Sequence, residues 1–273
     1  MRKLFLCALI SVLLLQACKK DNKPVPGPVD PGQTTLLLKD IAYSSLPSPY
    51  YHFEYNTAGQ VTKTSFADEQ AVYAVSYNNN FISEIQKTNG TNKDRLVYTY
   101  DNDKPVLIKY IDINGVTYQR CFITYYPDGK LATMDWEFKS GTMGYVLITE
   151  MGFTYYADNN VKDITTHLPA VEGLQNEISF NDHYEDYDAN KNADGFALHQ
   201  KFNDRLLLLP GVKLQINNPR KVTRTGTAID YEINYTYTYN DKKYPVSSSG
   251  LIKIKSGTDA GRTFNLSAQY SYY

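Results

Sequence analysis

Cysteine is nearly absent from this sequence, and the three that occur leave no room for a disulfide framework. Cys7 lies in an apolar leader, Cys18 closes that leader, and Cys121 stands alone as a residue expected to be buried in a strand. Histidine is also sparse. His52, His167, His183 and His199 are scattered and form no close pair, which argues against a metal centre built on them. Excess charge of either sign is missing. A net charge of −1 gives no electrostatic case for a nucleic-acid partner. The apolar run from Leu4 to Leu15, broken only by Ser11, is too short to span a bilayer as a helix. No Gly-x-Ser-x-Gly elbow and no phosphate-binding loop is present. Neither a cofactor nor an enzymatic activity is therefore expected.

Tyrosine is abundant, at 25 of 273 residues, and it is patterned. In Tyr51-His52-Phe53-Glu54-Tyr55-Asn56-Thr57-Ala58-Gly59-Gln60-Val61 the aromatic residues alternate with polar ones, which puts the rings on one face of a strand. Asn56 and Gly59 then mark a tight reversal, and Val61 restarts the alternation. Variants of this unit recur from Tyr73, Leu96, Phe122, Phe153 and Tyr235. The tyrosines that precede the turns (Tyr55, Tyr77, Tyr100, Tyr126 and Tyr156) grow further apart down the chain. A drifting period favours a meander of hairpins with variable arms over a strict solenoid. The expected fold is all-β, an antiparallel meander of about 14 strands by turn signals, curled into a barrel-like or half-barrel sheet.

The series resembles the tyrosine-aspartate (YD, Rhs-type) hairpin repeats. It is more closely similar to uncharacterised Bacteroidota lipoproteins built from YD-like hairpins. In those a "YxYNxxGxV" series leads to a "YDxxxNP" segment and a closing "YxYxYNxxxYP" hairpin. The matching residues are Tyr187-Asp188-Ala189-Asn190-Lys191-Asn192, Asn217-Asn218-Pro219 and Tyr235 through Pro245. The resemblance implies a fold and a location, and brings no activity with it.

Three segments are expected. Residues 1–17 read as a lipoprotein signal peptide: a basic start, an apolar core, and a small residue, Ala17, before Cys18. Residues 18–34 read as a lipidated N-terminus, with lipid on Cys18, followed by a proline-rich tether. Residues 35–273 read as one β-hairpin domain with an irregular connection at about 169–211. Within and beyond that connection, a short helix is expected over 196–209 and strands at 213–216, 229–239 and 251–255. The expected location is the outer membrane, lipid-anchored and facing either the periplasm or the cell surface. A transmembrane barrel is the rival reading, because the chain ends on the aromatic strand Tyr270-Ser271-Tyr272-Tyr273.

The expected function is that of a non-enzymatic envelope module that binds a glycan or another envelope protein. Tyr51, Phe53, Tyr55, Tyr235, Tyr237 and Tyr239 are the candidate ligand-binding residues, weighed against a purely structural aromatic ladder. Asn190, Asn192 and Asp194 resemble the first half of a calcium loop, but Lys201 stands where the closing glutamate belongs. The alternative is a glycoside hydrolase, or a carbohydrate-binding protein of a glycan-uptake system. A hydrolase would take its carboxylates from Asp182, Glu185, Asp186 and Asp188, which otherwise read as a solvated face.

Overall fold

The computed structural model describes residues 36–141, 143–195, 208, 209 and 211–273. The described residues form sixteen strands. They are β1 (Leu38–Tyr43), β2 (Tyr51–Tyr55), β3 (Val61–Phe66), β4 (Ala71–Asn78), β5 (Phe81–Lys87), β6 (Arg95–Asp101), β7 (Lys104–Ile111) and β8 (Thr117–Tyr125). The second half comprises β9 (Leu131–Ser140), β10 (Gly144–Tyr155), β11 (Val161–Leu168), β12 (Ile178–Tyr187), β13 (Pro219–Gly226), β14 (Tyr231–Tyr239), β15 (Pro245–Ile254) and β16 (Thr263–Tyr272). Each strand pairs antiparallel with its neighbours in sequence, and β1 pairs with β16 through Ile41↔Tyr270, which closes the barrel. Closure removes the free edges that an open sheet of this size would expose.

The expected antiparallel meander curls into a barrel, which closes and holds sixteen strands where the turn signals gave about fourteen. Two sequence expectations change. The stretch at 169–211, read as irregular, contains β12, whose mixed acidic and aromatic composition conceals a period of two. The segment at 213–216 is not a strand: Leu214 O accepts from Val161 N, and Ile216 N donates to the Asn160 side chain instead of to a ladder. The helix expected over 196–209 falls almost wholly outside the described residues; Leu208 and Leu209 are described and buried.

The repeat has a structural meaning. The hairpins that join β2–β3, β4–β5, β6–β7, β8–β9, β10–β11 and β14–β15 all shift register within the last two residues before the turn. In the first, Asn56 Oδ1 accepts from the backbone of Ala58 and Gln60 while Gly59 takes the left-handed backbone, φ 75°. That conformation costs glycine little. Asn240 repeats the arrangement, accepting from Lys242 and Tyr244, with Lys243 at φ 67°. A bulge interrupts the ladder there and leaves a carbonyl to be satisfied. A tyrosine hydroxyl supplies the donor. Tyr55 donates to Leu38 O, Tyr77 to Val61 O, Tyr125 to Pro105 O, Tyr187 to Val161 O, Tyr237 to Pro219 O and Tyr272 to Pro245 O, at 2.6–3.0 Å. These bonds form a collar at one end of the barrel. Burial pushes the Tyr77 phenol up to about 12, so these hydroxyls stay protonated donors at neutral pH.

The two faces of the wall differ sharply. From β2 to β11 the inward positions are mostly apolar and packed: Phe53, Ile85, Ile108, Tyr110, Leu131, Met134, Phe153 and Ile164 are all fully or almost fully buried, with Thr64, Gln119 and Thr166 buried among them. The outward positions carry charges paired across strands. Lys63 reaches Glu54 at 2.9 Å, Arg95 reaches Glu84 at 3.0 Å, Lys221 reaches Glu185 at 2.7 Å, and Arg120 pairs with Glu137. Period-two alternation thus runs apolar-in and polar-out.

Candidate functional site

The six aromatic candidates lie on inward positions of β2 and β14. Phe53 is wholly buried opposite Thr64. Tyr55 and Tyr237 spend their hydroxyls in the collar, and Tyr239 donates to the Asp188 carboxylate. Tyr235, Tyr237 and Tyr239 stack along β14 with ring centroids 6.0 and 6.1 Å apart. Gly250 opposes Tyr235, and a Cβ there would stand 2.9 Å from its ring, so the glycine makes room for the stack. Cys18 lies outside the described residues. Cys121 is buried on β8, where burial pushes its thiol well up and keeps it unreactive.

The four carboxylates that could have served a hydrolase do not converge. Asp182 points into the barrel, Glu185 points out to Lys221, Asp186 sits at a left-handed position (φ 56°), and Asp188 belongs to the collar end. A glycosidase needs two carboxylates facing each other across a cleft. Inside, Asp182 is held by Arg224 in a two-pronged ion pair, Nε to Oδ1 at 2.8 Å and Nη2 to Oδ2 at 2.7 Å. The guanidinium lies 3.8 Å from the Phe180 ring centroid and 4.9 Å from that of Tyr231. Burial alone would lower the Arg224 pKa, but the hydrogen bonds and charge of Asp182 outweigh it and raise it.

The calcium-like run lies in an amide network. Asn192 Nδ2 is within hydrogen-bond reach of Gln215 Oε1, Asn217 O and Asn218 Oδ1, and Asn192 Oδ1 accepts from Asp194 N. Asn190 N donates to Asp188 Oδ1, and Asn217 Nδ2 donates to Asn190 O. Asn160, fully buried, accepts from the backbones of Ile216 and Asn217. The two motif segments 187–192 and 217–219 are therefore clamped together where β12 and β13 end and begin. Among the described residues no group of three or more histidine, cysteine, aspartate or glutamate side chains is placed to hold a metal.

Among the described residues a concave site lies on the outer wall, and no motif announced it. A groove of about 680 Å³ crosses β9 to β13, lined among others by Thr133, Asp135, Glu150, Gly152, Thr165, His167, Ser179 and Asn181. Gly152 lies opposite Thr165 and leaves the wall low at its centre; a Cβ there would stand 2.8 Å from Thr165 Oγ1. Asp135 and Glu150 are direct cross-strand neighbours. Like charges so placed repel. Burial, together with Glu150 and Glu137, holds the Asp135 carboxyl above its ordinary pKa. On the next strand His167 bonds Glu150 at 2.7 Å and lies 3.4 Å from Glu177; the Glu150 hydrogen bond raises the imidazole pKa. Beside the groove, Asp163 accepts from His183 at 2.7 Å, Asn181 at 3.1 Å and Thr154 at 3.0 Å. Burial works against the charged Asp163, and these bonds outweigh it, so its pKa is lowered. The groove sets hydroxyls, an amide and carboxylate acceptors beside apolar surface that includes Met151 and Phe180, a mixed lining suited to a ligand with hydroxyl or ammonium donors and apolar faces. With Thr225 and Gly226 of β13, the lining is spread over five strands and only register brings it together, so no local spacing could reveal it.

No protein-family model and no curated protein matches this sequence. Solved structures do. The chain is similar to a porin-like protein from Bacteroides uniformis (12% identity, TM-score 0.56, 82% of this chain and 89% of that one). It is also similar to a porin-like protein from Bacteroides vulgatus (13% identity, TM-score 0.53, 87% and 99%). At these identities the likeness establishes a shared fold, an all-β antiparallel meander closed into a barrel.

Proposed function

We propose that this chain is a lipid-anchored envelope protein whose barrel stands in water and works as a non-enzymatic binding module. The observation that carries the proposal is the polarity of the wall. A membrane-spanning barrel turns an apolar band outward and a polar lumen inward. This barrel does the reverse, with ion pairs such as Glu84–Arg95 and Glu185–Lys221 outside and Phe53, Ile108 and Phe153 inside. Burying one arginine or lysine at mid-bilayer on a barrel wall costs about 2–4 kcal/mol, an acidic residue less, and this wall carries many of both. The membrane attachment is then left to lipid on Cys18, which the sequence motif supplies. The porin-like neighbours lend support to an envelope location through fold alone.

Cys18→Ser is expected to move the protein from the membrane fraction to the soluble fraction, with no need for detergent. If the variant stays in the membrane and comes out only in micelles, the barrel itself is embedded and the reading fails.

The β9–β13 groove is the proposed ligand seat, and a polyol such as an oligosaccharide is the class its lining fits. Calorimetric titration with soluble oligosaccharides should give binding that Asp135→Asn weakens about tenfold, the loss of one charged acceptor. Binding unaffected by that change would place the ligand elsewhere.

A further inference from the structure

The two ends of the barrel are unlike. The chain enters and leaves at the collar end, where Tyr273 N donates to Leu37 O at 3.0 Å. At the opposite end, consecutive elements each place a large apolar side chain in solvent: Ile113 after β7, Met143 before β10, Leu174 and Ile178 around the start of β12, Ile229 before β14, and Phe264 at the start of β16. Their exposures run from 36% to 65%. Single exposed apolar residues are ordinary. These belong to neighbouring hairpins of one closed meander, so they follow one another along an arc of the rim.

The same arc is acidic. Its loops carry Asp112, Glu172, Glu177, Asp230 and Asp259 against Lys255 and Arg262, and Arg262 is already paired with Asp259 at 2.6 Å. An anionic lipid surface would be repelled by this rim, and so would a second copy meeting it face to face. A basic surface would be attracted.

We propose that this arc docks a protein partner whose contact face is apolar at its centre and lysine- or arginine-rich around it. Apolar anchors inside a charged margin are the usual anatomy of a specific interface. The proposal rests on the reading of a water-facing barrel; the Cys18→Ser fractionation tests that reading separately.

The test is site-specific photo-crosslinking in intact cells of the full-length, lipidated protein. The crosslinking residue replaces Ile113, Met143 or Ile229, with Ile216 and Tyr126 at the collar end as controls. The expected result is one adduct of discrete mass from the arc positions and none from the controls. The adducted protein, identified by mass spectrometry and purified, should bind the wild-type chain. Ile229→Asp should weaken that binding about tenfold or more, and added salt should weaken it further. Glu172→Lys, a surface change with no packing role, should also weaken it. Four outcomes overturn the proposal: no adduct from the arc, an adduct of two copies of this chain, a partner whose binding is indifferent to Ile229→Asp and Glu172→Lys, or co-sedimentation of the Cys18→Ser protein with phosphatidylglycerol vesicles through these same residues.

Discussion

Arg224→Met is expected to remove about 3–5 kcal/mol of folding stability, the cost of breaking a buried ion pair from one side. Asp182 has no solvent-exposed side-chain surface and Arg224 has 14%. The two-pronged pairing satisfies the carboxylate where water is excluded. Methionine keeps the length and the apolar stem but removes the charge, so Asp182 loses its main counter-ion without relief from solvent. Urea unfolding of the Cys18→Ser form should show a lower midpoint with the slope unchanged. The double variant Asp182→Leu with Arg224→Met should recover most of the loss, since an apolar pair of similar volume is often no worse than an ion pair. A loss under about 1 kcal/mol for Arg224→Met would mean that the barrel interior supports Asp182 without its arginine.

Phe53→Ala is expected to cost a similar amount, about 3–5 kcal/mol, through lost transfer energy and the cavity left behind. Phe53 is wholly buried, lies 6.4 Å from the Tyr51 ring, and faces Thr64, also fully buried. The wall cannot collapse to fill the space, because the backbone on both sides is tied into ladders with β1 and β3. Glu54→Ala, one residue along and facing out to Lys63 at 2.9 Å, is the control. It should fall within about 0.5 kcal/mol of wild type, as exposed ion pairs contribute little. Chemical denaturation of the pair separates a core role from a recognition role for Phe53. A mildly destabilised Phe53→Ala protein that had lost ligand binding would assign the residue to recognition.

Much of the fold was legible because it is written in periods and turns. The alternation in Tyr51-His52-Phe53-Glu54-Tyr55 determined that Phe53 and Glu54 would face opposite ways, since side chains on a strand have nowhere else to point. Asn56 and Gly59 determined a reversal, since both suit the backbone such a turn requires. The repetition of that unit determined an antiparallel meander. β12 escaped notice because Asp182, although inward, is polar; its partner Arg224 lies 42 residues away on another strand, and nothing local announces the pair. The segments 187–192 and 217–219 were visible as motifs, but only the fold shows that they meet, through Asn217 and the carbonyl of Asn190.

What tertiary structure alone decided is which tyrosines are spent and where a concave site lies. Sequence cannot tell a tyrosine with a free hydroxyl from one that caps a carbonyl across a bulge, because both need a ring near a turn; the Tyr55 hydroxyl is committed to Leu38 O at 2.8 Å. The β9–β13 groove is likewise a product of register. Asp135, Glu150 and His167 are ordinary outward residues on three strands, and they become neighbours only because Glu150 pairs with both Asp135 and His167. Closure through β1 and β16 joins residues more than two hundred positions apart. It depends on the summed twist and number of strands, which no single stretch of the chain contains.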